Sequence, residues 1–194
     1  MKKVLFAALL CAAAVASFAQ TPVRLSLWDG IAVPNSKDVR GLDLGIGSRT
    51  DSVAGLQFNV LWSRTQSITG LQWSFVFNQA GDVTGVQWGL VNKADNAQGL
   101  QLGAVNWATD SRILQWGWVN YAERFSDLQL GFVNWTDNSR IFQWGFVNYA
   151  KSMSGLQLGL VNYTENINRG LQIGLANFAK NGWFPVMILV NGRF

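Results

Sequence analysis

Residues 155–164 read GLQLGLVNYT, and how these ten letters are read decides the fold. IFQWGFVNYA occupies 141–150, fourteen residues earlier, and GLQIGLANFA occupies 170–179, fifteen later. The slot of Gln157 is also filled by Gln57, Gln72, Gln87, Gln101, Gln115, Gln129, Gln143 and Gln172, and by Asp43 in GLDLGIG one unit before them. Glycine usually comes two residues after the glutamine and asparagine five after, as Gly159 and Asn162 do here. Leu156, Leu158 and Leu160 fall on one side of an alternating segment, Gln157 and Gly159 on the other. A period of two marks a strand with one apolar and one polar face. The stretches between, TDSR at 109–112, TDNSR at 136–140 and TENINR at 164–169, carry Asp, Asn and Ser and read as turns.

Neighbouring copies differ in an alternating way. Those at Gln115 and Gln143 read QWG and end VNYA, whereas those at Gln129 and Gln157 read QLG and end VNWT or VNYT. The 14-residue repeat therefore sits inside a 28-residue unit, which a β-hairpin with two unlike turns would produce. Twelve strands are expected, beginning near residues 23, 39, 55, 70, 85, 99, 113, 127, 141, 155, 170 and 183.

Two all-β architectures accommodate such a repeat: an antiparallel up-and-down transmembrane β-barrel, and a β-solenoid with its apolar face inside the coil. The barrel is the leading expectation. From residue 55 onward the strand centres hold no charged side chain, as a lipid-facing strand requires. Trp107, Tyr121, Trp135, Tyr149, Tyr163 and Phe178 recur near strand ends and would form interfacial aromatic girdles. Asp43 and the glutamines of the slot would line the lumen as an amide belt, with Arg24 a second lumen charge if it too faces inward. The asparagine slot needs a bulge at Val161–Asn162 to turn Asn162 inward. In a barrel Leu158→Arg should block assembly, while Gln157→Arg should be tolerated.

The GLQLGLVN phrase, spread over about residues 41 to 191, resembles bacterial surface-repeat proteins of spirochaetes and other diderm bacteria. The alternating C-terminal strand that ends on Phe194 resembles the assembly signal of outer-membrane β-barrel proteins. These resemblances imply an envelope or surface location, with the lipid bilayer of the outer membrane and the outer-membrane assembly machinery as partners. They imply no defined biochemical role.

The N-terminus supports export. MKK followed by VLFAALLCAAAVA and SFAQ reads as a signal peptide over residues 1–19, leaving 20–194 as one repeat-built domain. Cys11 lies in that leader, so the remaining chain has neither cysteine nor, anywhere, histidine. Setting Lys2 and Lys3 aside reduces the 15 basic residues to 13 against 11 acidic, too even a balance for nucleic-acid binding. Charged residues make up 13% of the chain while tryptophan occurs 10 times.

Without His or Cys no nucleophile–base pair can be assembled, and the acids are scattered through turns. No catalytic, metal or cofactor site is expected, and no soluble ligand is indicated. The sequence thus points to a non-enzymatic outer-membrane barrel acting as a small, weakly selective pore or a structural envelope protein. The alternative is a secreted or surface-attached β-solenoid that binds cell-surface ligands through exposed glutamines and aromatics.

Overall fold

The computed structural model describes residues 21–194, so the leader expected over 1–19 lies outside the described residues. Twelve strands form one sheet: β1 Thr21–Trp28, β2 Ile31–Val33, β3 Asp38–Arg49, β4 Ser52–Ser74, β5 Phe77–Trp88, β6 Val91–Leu102, β7 Val105–Trp116, β8 Val119–Leu130, β9 Val133–Trp144, β10 Val147–Leu158, β11 Val161–Ala179 and β12 Val186–Arg193. From β3 to β11 each strand lies parallel to the next in chain order, and antiparallel pairing occurs only at the ends, β1 with β2 and β11 with β12.

This is a parallel β-solenoid, and it overturns the antiparallel barrel together with its transmembrane strands, pore and lumen. The register gives the physical reason. Asn106 pairs with Asn120, Gln115 with Gln129 and Gln143 with Gln157, like on like at the repeat distance. An antiparallel hairpin would run the repeat backwards against itself and bring unlike slots together. A repeat that winds in one direction stacks each residue on its own equivalent, so one favourable contact recurs at every coil. The 28-residue alternation reflects two kinds of coil stacked in turn, not two kinds of hairpin turn.

The segments read as turns lie inside strands. Thr109–Arg112 belongs to β7 and Thr136–Arg140 to β9, because their backbone groups bond to the coils on either side. The chain breaks instead at Gly103–Ala104, Gly117–Trp118, Gly131–Phe132 and Gly145–Phe146. At Gly117 an added Cβ would lie 2.1 Å from the Gly103 oxygen and 2.7 Å from Asn106 Nδ2, so only glycine fits that corner. The corner also resets the alternation. Leu160 and Val161 both face outward and Asn162 turns in, so the change of side occurs at Gly159–Leu160 and no bulge at Val161–Asn162 is needed.

The interior is thin and largely polar. Besides Gln and Asn it holds small side chains, among them Ala94, Ala108, Ala122, Thr136 and Ala150. Larger apolar groups are buried only toward the ends, at Val39, Val53, Ile68 and Val83 on one side and Met153 and Ile167 on the other. The expectation that a solenoid would hide its leucines and tryptophans fails as well. They face outward, and the glutamines expected to be exposed are inside.

Candidate functional site

Every glutamine of the repeat slot, from Gln57 to Gln172, is fully buried with Asp43 at the head of the column. Each side-chain N–H donates to the Oε1 of the preceding glutamine at 2.6–2.8 Å, and Gln57 donates to Asp43 Oδ2 at 2.8 Å. The asparagine column runs the other way: Asn106 Nδ2 donates to Asn120 Oδ1 at 2.9 Å, and so on to Asn177. Second N–H bonds fix both directions. Gln115 Nε2 also reaches the Tyr121 carbonyl at 3.2 Å, and Asn106 Nδ2 reaches the Trp116 carbonyl at 2.9 Å. Flipping either amide would set oxygen against oxygen. Among the described residues, Gln172 Oε1 and Asn78 Oδ1, the acceptor ends of the two columns, lack a partner.

These columns are scaffold. A buried amide is costly unless bonded, and here nearly all are bonded into continuous chains. With the polar groups consumed inside, the outer surface decides what the rod can bind.

That surface is graded. At the corner, Trp118, Phe132, Phe146 and Leu160 project outward, Trp118 being 65% exposed. On one flank Trp88, Leu102, Trp116, Leu130 and Trp144 form a second ridge, with Trp116 62% exposed. Between the two ridges runs a trough of about 1030 Å³ floored by Gly103, Gly117, Gly131, Gly145 and Gly159.

The other flank carries valines and then the aromatics singled out in the sequence. Trp107 and Tyr121 lie 5.1 Å apart, Trp135 and Tyr149 4.1 Å, Tyr149 and Tyr163 5.4 Å, and Tyr163 and Phe178 6.4 Å. They form a column along a single face, not two girdles on opposite rims. Their polar tips reach the charged side: Trp107 Nε1 donates to Glu123 at 3.2 Å and Tyr149 Oη to Glu165 at 3.3 Å.

Beyond them the coils carry ions paired from one coil to the next, Lys151 with Asp137 at 2.7 Å, Lys180 with Glu165 at 3.1 Å, and Arg124 with Asp110. The Lys180 hydrogen bond holds the Glu165 carboxyl below its ordinary range, and Glu165 in turn raises Lys180. Partial burial, reinforced by Glu165, pushes the Tyr149 phenol up. Phe194 is 80% exposed at the C-terminal end, its ring 5.7 Å from Trp183.

The ridge of Trp118, Phe132 and Phe146 had no separate place in the sequence reading. Its signal is the pair of consecutive outward apolar residues after each corner glycine, which strict alternation obscures. Among the described residues no cluster of three or more acidic, His or Cys side chains could hold a metal, and no helix is long and apolar enough to cross a membrane.

The class this fold defines is the parallel β-solenoid repeat proteins. No family model, no curated protein and no solved structure matches the chain.

Proposed function

We propose that this protein is a non-enzymatic, surface-attached β-solenoid whose cell-surface ligand is a lipid layer, held along the apolar corner without crossing it. One observation carries the reading: the order of polarity around the coil. Trp118, Phe132 and Phe146 stand at the corner, amphipathic Trp107 and Tyr149 follow on the flank with their polar tips aimed away, and paired ions lie beyond. Apolar groups in acyl chains, indoles and phenols at the headgroups and charges in water follow the same order with depth. Large aromatic side chains left in the open on successive coils, Trp118, Phe132 and Phe146 among them, also mark a surface made for contact. The leader and the repeat resemblance support export to the envelope of a diderm bacterium, with the outer membrane as the layer.

Flotation with phosphatidylethanolamine–phosphatidylglycerol vesicles tests this. The folded protein should float, its tryptophan emission should shift to the blue, and Trp118→Lys with Phe132→Glu should return it to the aqueous fraction with unchanged β circular dichroism. Wild-type protein that remains in the aqueous fraction as a folded monomer would refute the reading.

A further inference from the structure

The trough is narrower in its chemistry than the apolar corner as a whole. We infer that it is a linear site for one extended acyl chain lying along the solenoid axis. The inference rests on the lipid reading above and gives it a defined subsite.

The floor offers no free backbone N–H to a polar ligand. The N–H groups of Gly103, Gly117, Gly131, Gly145 and Gly159 are all donated to carbonyls of the following coil at 2.9–3.1 Å. Apart from indole N–H groups, the walls carry no polar side chain. A sugar or a peptide entering here would surrender hydrogen bonds to water and find neither a free backbone N–H nor, indoles apart, a polar side chain to replace them. A hydrocarbon chain gives up nothing. Its methylenes would lie against the glycine floor, between the Trp116 and Trp144 ridge and the Trp118 and Phe132 ridge.

Length agrees. Leu90 and Leu160 line opposite ends of the trough and lie five repeats apart, which at about 4.8 Å per stacked strand makes roughly 24 Å. One leaflet of a bilayer core is half of about 30 Å, so the trough is longer than the depth that a membrane acyl chain spans. The volume, about 1030 Å³, is at the upper end of ordinary small-ligand sites. Alternation of Trp and Leu along one wall leaves notches at Leu102 and Leu130 where the chain can bend or carry a branch.

Titration with monomeric cis-parinaric acid, below its aggregation limit and without vesicles, tests the site. Saturable binding near one per chain is expected, with stearate brominated at mid-chain quenching Trp116 and Trp118 but not Trp28 at the far end. Leu130→Lys, a change at an outward side chain, should weaken parinarate binding at least tenfold. Val119→Lys, on the other flank, should weaken vesicle flotation and leave parinarate binding within twofold. Vesicle binding without saturable parinarate binding would overturn the acyl-chain site and leave the lipid reading standing. Failure of both removes both. A lipid-free dimer in sedimentation whose formation excludes parinarate would overturn the site in favour of a second copy filling the trough.

Discussion

Arg24 Nη1 donates to Asp43 Oδ1 at 2.8 Å, with both side chains buried, and this pair terminates the glutamine column. Every glutamine N–H in the column points toward it, so the positive ends of the aligned amide dipoles face the carboxylate, as helix dipoles face an acidic cap. Ser48 and Gln57 bond the same carboxylate, and Arg24 reaches the Arg49 carbonyl at 3.2 Å. Asp43 is thus the anion that the column calls for, and Arg24 is the cation that lets it be buried.

Removing one partner strands the other. Arg24→Leu should lower stability by about 3–5 kcal/mol, the usual cost of an unpaired buried charge. Adding Asp43→Gln should recover most of that, because the position then carries the residue found in every later coil. Urea unfolding at neutral pH measures both. A single variant as stable as wild type, or a double variant no better than the single, would contradict the account.

The next expectation reverses the one drawn from the sequence. Gln157 donates to Gln143 at 2.6 Å and accepts from Gln172 at 2.8 Å, with no surface exposed, whereas Leu158 is half-buried on the outer flank. Gln157→Arg puts a charge into the amide column and should abolish folding. Leu158→Arg should fold normally, with stability changed by less than about 1 kcal/mol. Expression and far-ultraviolet circular dichroism of the two variants decide between solenoid and barrel with no membrane experiment.

That reversal marks where the sequence was legible. Alternation correctly placed Gln157 and Leu158 on opposite faces, because the period of two is a property of any strand; it did not say which face is outside, and the barrel and solenoid readings assigned it oppositely. Strand direction was not readable the same way: each copy looks alike whether its neighbour runs with it or against it. What separates the cases is Gln meeting Gln, a contact between coils. The turn-like composition of Thr109–Arg112 misled because Asp and Ser suit an exposed bend equally well when its backbone is bonded to adjacent coils. The glutamines were read as facing a lumen, or as exposed on a solenoid; that they close on one another as a packed column depends on the same contact between coils.

Ile113 offers a stabilising change. It occupies the bend slot where Gly85, Gly155 and Gly170 have φ of +129°, +105° and +147°, and it is itself held at φ +93°. That region is unfavourable for a β-branched residue, at a strain of about 1–3 kcal/mol, against which glycine's added unfolded-state entropy costs about 0.5–1 kcal/mol. The Ile113 side chain is about half exposed, so little packing is lost. Ile113→Gly should raise stability by about 1 kcal/mol in urea unfolding. A loss of stability would show that the side chain contributes contacts outweighing the strain.

Acid and base should loosen the last coils for opposite reasons. Glu165 is held below its ordinary 4.5, first by the hydrogen bond from Lys180 and then by that lysine's charge. A depressed carboxyl stabilises the folded state fully above the unfolded value and loses this contribution as pH falls through the folded one. Lys180 is raised above 10.5 by the same partner, so its contribution is complete below 10.5 and disappears as pH climbs past the folded value. Between about pH 5 and pH 10 the pair should be constant. Glu165→Gln should therefore melt at a lower temperature than wild type at pH 7, and the difference should shrink as pH falls below 4.5 and through the depressed folded value, where wild-type Glu165 takes up its proton. A difference that persists undiminished in acid would mean that Glu165 acts through packing or through its Tyr149 hydrogen bond, not through its charge.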